Sequence, residues 1–166
     1  MLRHLRILLL LACIAVAGQG APVQAGPLED AEAAYRAGNV EIAIAIARQA
    51  AEQSDPQAQA ALAFYLYTRI PPDPAQALAW WRRAAEQGNA EAQFMLATQY
   101  FYGVTTPADY GEAYRWALIA ARSNRGSEAA RNEVLKLTAE IRAKLSPDQI
   151  KAAQEAAVAF RPKPER

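Results

Sequence analysis

Apolar positions along this chain fall into helix-length blocks that copy one another. Residues 55–66 (DPQAQAALAFYL) lie over residues 89–100 (NAEAQFMLATQY) at an offset of 34, setting Ala58 on Ala92, Leu62 on Leu96 and Leu66 on Tyr100. Residues 73–85 (DPAQALAWWRRAA) lie over residues 109–121 (DYGEAYRWALIAA) at an offset of 36, matching Ala77 with Ala113, Trp80 with Trp116, and Ala84-Ala85 with Ala120-Ala121. The change of offset falls between the blocks, at Pro71-Pro72 and Pro107, where a loop absorbs it. Upstream, residues 41–54 align with residues 75–88 at an offset of 34, so that Ala43 meets Ala77, Ile46 meets Trp80, and Ala50-Ala51-Glu52-Gln53 returns as Ala84-Ala85-Glu86-Gln87.

Three copies of one second-helix pattern are therefore present, each preceded by another helix-length segment, at residues 28–37, 56–69 and 89–102. Helix pairs recurring at this period predict an all-α fold, a right-handed α-solenoid of about three pairs. The pairs occupy about 27–54, 55–88 and 89–125. Asp55-Pro56 and Asp73-Pro74 each supply an N-cap followed by proline at the first helical position, and Gly38 and Gly88 sit where helices stop. Two further helices, about 126–145 and 146–160, predict a C-terminal capping pair that closes the solenoid. The first mixes Val134, Leu135, Leu137 and Ile141 with charges; the second opens on the capping box Ser146-Pro147-Asp148-Gln149 and carries Ile150, Ala153, Ala157 and Phe160 along one stripe. Residues 161–166 (RPKPER) are expected to be a flexible tail.

The first 25 residues break the pattern: Arg3, His4 and Arg6, then the apolar run from Ile7 to Ala17, then a small-residue stretch ending Val23-Gln24-Ala25. This is the form of a secretory signal cut after Ala25, and its run is too short to span a bilayer. The expectation is a periplasmic or secreted protein without stable membrane insertion. The alternative is a lipoprotein anchored at Cys13, because Leu10-Leu11-Ala12-Cys13 resembles a lipobox.

Cleavage after Ala25 changes the chemistry, since it removes the single cysteine, Cys13, and the single histidine, His4. What remains has no thiolate or imidazole for a metal, a disulfide or Ser-His or Cys-His nucleophilic catalysis. No glycine-rich phosphate loop, metal-ligand cluster or Gly-x-Ser-x-Gly elbow is present, so neither cofactor nor metal is expected. Paired carboxylates do not argue for a glycosidase either, because Asp55, Asp73, Glu112 and Asp148 have local structural reasons at helix starts. The chain is read as not an enzyme. Without Arg3 and Arg6 it keeps 16 Lys and Arg against 17 Asp and Glu, a balance that offers no basic surplus to nucleic acid.

Ala92, Leu96, Tyr100 and Gly103, followed by Pro107, Asp109, Ala113, Trp116 and Ala120-Ala121, resemble the SEL-1-like repeat, a relative of the tetratricopeptide repeat. The string Ala84-Ala85-Glu86-Gln87-Gly88 is similar to that family's helix ending. The resemblance covers residues 55–125; Tyr35, Gly38, Ala43 and Ile44 look more like a tetratricopeptide motif. Two positions depart from the pattern. Thr105 stands at the family's second glycine, and Arg69 stands at the first glycine of the preceding repeat.

The resemblance implies a concave surface lined by the first helix of each pair. Its offsets point to Gln57, Ala60, Phe64, Tyr67 and Thr68 in one repeat and to Glu91, Phe94, Thr98, Phe101 and Tyr102 in the next, with Tyr35 joining from the first pair. Rigid aromatic area of this kind suits a peptide or protein partner, and a non-catalytic interaction module of the bacterial cell envelope, with a monomer favoured, is the expected function. The competing views are that curvature or the terminal helices bury this lining, or that the chain is a cell-wall or polysaccharide-associated factor, glycan-binding or weakly catalytic. Trp80 and Trp116 are expected to fill the core, and Arg82 and Arg83 to face water. Trp81, whose counterparts Ala47 and Ala117 require no bulk, joins the candidate contacts; the alternative is packing, since in the family this place often holds a tyrosine or phenylalanine.

Overall fold

Prolines and short polar side chains set where the helices begin. In a computed structural model that describes residues 26–123 and 127–165, eight helices are present: α1 (Pro27–Arg36), α2 (Val40–Glu52), α3 (Pro56–Thr68), α4 (Pro74–Glu86), α5 (Ala90–Tyr102), α6 (Tyr110–Ser123), α7 (Glu128–Arg142) and α8 (Pro147–Ala159). The leader assigned to residues 1–25, with its cut after Ala25 and the Cys13 alternative, lies outside the described residues. Asp55 accepts from the amides of Gln57 and Ala58, Asp73 from Gln76, Asn89 from Ala92 and Ser127 from Ala130, each satisfying an amide that lacks an intrahelical partner. Ser146 and Gln149 close a reciprocal capping box, with the Gln149 amide 3.3 Å from Ser146 Oγ and the Ser146 amide 2.9 Å from Gln149 Oε1.

Each helix packs on its sequence neighbour from α1 to α7, which makes the chain an all-α solenoid. Alanines at matched positions let the axes approach: Ala43, Ala47, Ala77, Ala84, Ala113, Ala117 and Ala120 are each fully buried. Leu62, Leu66 and Leu96 fill the space on the first-helix side. Within the layer of first helices, α1 touches α3, α5 touches α7, and the start of α3 is tied to the start of α5 by the Asn89–Gln57 hydrogen bond at 2.9 Å, whereas no contact as close as the α1–α3 one joins α2 to α4 or α4 to α6. The first helices thus form the inner, concave layer.

Two buried glutamines join consecutive repeats. Gln59 Nε2 donates to the Ala51 carbonyl at 3.2 Å, and at the same place one repeat on, Gln93 Nε2 donates to the Ala85 carbonyl at 3.1 Å. Both side chains are fully buried, so each amide N–H must find a protein acceptor and takes the helix-terminal carbonyl of the preceding helix. The Ala58-Gln59 and Ala92-Gln93 dipeptides recur in the sequence at the same offset as the leucines.

Loop geometry follows the residue present. Gly103 ends α5 in the left-handed conformation, φ +64, and a Cβ there would meet the Ala108 backbone nitrogen at 2.9 Å. Arg69, at the matching place, is extended instead, with φ −62 and ψ 163, and the loop closes when the Asp73 amide donates to the Leu66 carbonyl at 2.9 Å.

Four expectations are corrected. Trp81, not Trp80, is the core tryptophan: it is 1% exposed and lies against Tyr67 at 5.3 Å, whereas Trp80 is only partly buried under the Arg83 guanidinium at 4.3 Å. The counterparts of Trp81, Ala47 and Ala117, are themselves fully buried, so an alanine at that position marks close helix approach and not an exposed face. Trp116, 3% exposed, is a core residue as expected, sealed by Phe160 at 5.6 Å.

The terminal helices do not pair with each other. α7 and α8 both pack on α6, α7 extending the inner layer and α8 lying along the outer one, where Arg122 donates to the Ala157 carbonyl.

Residues 161–165 are not a free tail. They turn back along the helix ends, with the Lys163 amide donating to the Glu86 carbonyl at 2.9 Å, Pro162 against Gly88, and Glu165 paired with Arg83 at 2.8 Å. Gly88 has φ +100, and a Cβ there would press on the Pro162 ring at 3.2 Å. Arg83 is therefore a docking residue, while Arg82 is exposed and donates to the Tyr100 hydroxyl at 2.8 Å.

Candidate partner-binding groove

The inner layer holds three adjoining openings that share lining residues. The first, about 260 Å³, is walled by Leu28, Glu32 and Tyr35 of α1, Gln57, Phe64 and Tyr65 of α3, and Glu91 of α5. The second, about 370 Å³, lies between α5 and α7 and is lined by Ala90, Glu91, Phe94, Ala130, Glu133 and Val134. The third, about 190 Å³, continues along the same seam past Phe94, Thr98 and Tyr102 on one side and Glu133, Lys136 and Glu140 on the other. Glu91 lines the first two openings, and Phe94 and Glu133 the last two, so the three follow one another across the layer and together make up the groove considered below.

Local hydrogen bonds hold the walls. Asn89, which caps α5, also donates from Nδ2 to Gln57 Oε1 at 2.9 Å, and this ties the start of α5 to the start of α3. Tyr35 stacks on Tyr65 at 4.7 Å, meets Phe64 edge to face at 5.4 Å, and donates its hydroxyl to Thr68 Oγ1 at 3.2 Å. Thr68 in turn donates to the Phe64 carbonyl at 2.9 Å, and Thr98 repeats this by donating to the Phe94 carbonyl at 3.0 Å. The phenol of Tyr65, at the base of the first opening, is held above the usual tyrosine range, first by burial and then by the charge of Glu32, with Glu91 adding in the same direction.

The sequence-derived lining divides accordingly. Gln57, Phe64 and Glu91 come together in the first opening, with Tyr35; Phe94, Thr98 and Tyr102 come together along the α5–α7 seam. Five residues do not join them, the first being Thr68, which lies behind the wall with its hydroxyl between Tyr35 and the Phe64 carbonyl. Ala60 is 3% exposed and Trp81 1%, so both leave the lining for the core. Tyr67 turns its ring toward Trp81. Phe101 sits at the loop end of α5 between Tyr102 at 4.9 Å and Tyr110 at 5.8 Å.

One wall was not foreseen. Glu133, Lys136, Leu137 and Glu140 belong to α7, which the sequence assigns to a cap. The signal was the Ala130-to-Val134 spacing, which repeats Ala58-to-Leu62 and Ala92-to-Leu96, at a longer offset and among many charges. Among the described residues no group of three His, Cys, Asp or Glu side chains is placed to hold a metal, and no helix is long and apolar enough to cross a membrane. The groove offers aromatic area and carboxylates.

Residues 56–89 and 90–124 each match the family model described as Sel1 repeat, and each match spans one helix pair, α3 with α4 and α5 with α6. Over 60 residues, 34% of this chain and 9% of the relative, the sequence is 38% identical to an uncharacterized Sel1-like repeat-containing protein of Schizosaccharomyces pombe. Among solved structures, a protective antigen present in uropathogenic Escherichia coli strains and displaying an SLR fold is similar with a TM-score of 0.70 and 24% identity, over 81% of this chain and 29% of that one. At that identity the likeness speaks for the fold. The chain spans less than a third of the solved protein's length and less than a tenth of the curated relative's.

Proposed function

We propose, from the premise that this chain is a SEL-1-like repeat protein, that it holds a peptide or helical segment of another protein in the groove of its inner layer. Sel1 repeats are in general scaffolds for protein–protein interaction and typically carry no catalysis of their own. The observation that carries the reading is the aromatic area left uncovered there: Phe64 is 36% exposed and Tyr102 64%, on helices whose other faces are buried alanine and leucine. Rigid rings of this kind give contact area at a low entropic cost and dominate binding energy when a partner excludes water from them.

The test is the triple variant Phe64→Ala, Phe94→Ala, Tyr102→Ala, compared with the natural chain in a crosslinking pull-down from the cell envelope, with helicity checked by circular dichroism. The partner recovered with the natural chain is expected to be lost. Undiminished recovery by the folded variant sinks the groove as the binding surface. We further place the protein in the envelope, by export on the leader ending at Ala25. The basic Arg3 and Arg6 and the apolar run from Ile7 to Ala17 support this. N-terminal sequencing of the envelope fraction should begin at Gly26; a full-length chain in the cytoplasm, or an acylated Cys13 at the N-terminus, would overturn it.

A further inference from the structure

The groove is charged as well as aromatic, and its charge is one-sided. α3 contributes no charged side chain to it, so its ionisable walls come from α1, α5 and α7. Glu91 stands at the centre, shared by the first two openings, with Glu133 across the seam and Glu140 farther along it. The cations are Arg36 and Lys136. Arg36 is taken up by Glu32, four residues earlier on the same helix, at 2.7 Å. Among the described residues Glu91, Glu133 and Glu140 make no ion pair, which leaves one ammonium, on Lys136, against three carboxylates. The aromatic rings lie among these carboxylates: Phe94 shares both seam openings with Glu133, and Phe64 shares the first with Glu91. A guanidinium or ammonium entering beside Glu91 finds a carboxylate and an aromatic face together, two attractions that add for a cation and not for a neutral or anionic group.

We infer that the segment held in this groove is a cationic, amphipathic polypeptide, with Lys or Arg side chains set on Glu91 and Glu133 and apolar side chains on Phe64, Phe94 and Tyr102. This rests on the reading of the groove as the partner site and adds the partner's chemistry. The α5 wall, 13 residues long, extends about 20 Å, the span of a helical segment of about 14 residues.

The probes are three labelled amphipathic peptides of about 14 residues with one leucine-alanine face and arginine, glutamine or glutamate on the other, followed by fluorescence anisotropy with the whole chain at low salt. The arginine peptide is expected to bind about tenfold more tightly than the glutamine peptide, and the glutamate peptide most weakly. The Glu91→Gln, Glu133→Gln variant should bring the arginine peptide to within about twofold of the glutamine peptide without changing the latter. Glu155→Gln, on the exposed side of α8, should change neither.

Equal binding of the arginine and glutamine peptides, both weakened by Phe94→Ala, would leave the groove standing and overturn its preference for cations. An arginine preference that survives Glu91→Gln, Glu133→Gln, or that falls equally with Glu155→Gln, overturns it as well. Failure of all three peptides to respond to Phe94→Ala removes the groove and the inference together.

Discussion

Replacing each of the adjacent tryptophans by alanine separates the structure from the repeat alignment. Trp81 is 1% exposed and packs on Tyr67 among fully buried alanines, so Trp81→Ala leaves a void that backbones already in close approach cannot fill. An indole buries about 200 Å² of surface, which at about 25 cal/mol per Å² sets an upper figure near ~5 kcal/mol, and large-to-small changes at fully buried aromatics typically cost about 3–5 kcal/mol. Trp80 is partly exposed and its added attraction is the Arg83 guanidinium at 4.3 Å, so Trp80→Ala should cost about 1–2 kcal/mol. Urea unfolding followed by far-ultraviolet circular dichroism avoids the loss of the fluorescent reporter and gives both values on one scale, provided the slope with denaturant is unchanged. A cost for Trp80→Ala equal to or above that for Trp81→Ala would refute the assignment of the inner tryptophan.

Other outcomes follow from the docked C-terminal segment and from the helix ends. The Arg83 guanidinium beside Glu165 holds its carboxyl down at about 2, against an ordinary value of 4.5, despite partial burial. A depressed pKa contributes stability that is present above pH 4.5 and is lost as pH falls toward about 2. Because Arg83 is 41% exposed, solvent screening reduces the contribution to about 1 kcal/mol. Glu165→Gln should therefore lower the melting temperature at neutral pH, with the gap from the natural chain closing in acid; a gap independent of pH contradicts the ion pair's role. Gly103→Ala forces a Cβ into a φ of +64 and against the Ala108 nitrogen, and should cost about 2–3 kcal/mol in urea unfolding. Ser146→Ala removes one half of the capping box and should cost about 1 kcal/mol, visible as faster amide exchange in the first turn of α8.

The repeat unit was legible because its determinants are local. Asp-Pro caps, alanines and leucines at helical spacing, and the recurrence of whole blocks fix helix starts, pair boundaries and the solenoid without reference to distant contacts. Half of the groove was legible through the resemblance to SEL-1-like repeats, whose offsets within the first helix point to Gln57, Phe64, Glu91, Phe94, Thr98 and Tyr102, and these line its openings.

What tertiary structure decided concerns neighbours far apart in sequence. Which of two adjacent tryptophans turns inward depends on how closely the helices on either side approach. The acidic wall exists because α7 continues the inner layer, which its many polar residues disguised as a cap. Residues 161–165 read as a free end because the groups that dock them, Glu86, Gly88, Arg83 and Gln59, lie more than seventy residues back along the chain. Composition and periodicity determine what each element is. Burial, pairing and field at a given side chain depend on which elements meet, and that is set by the fold alone.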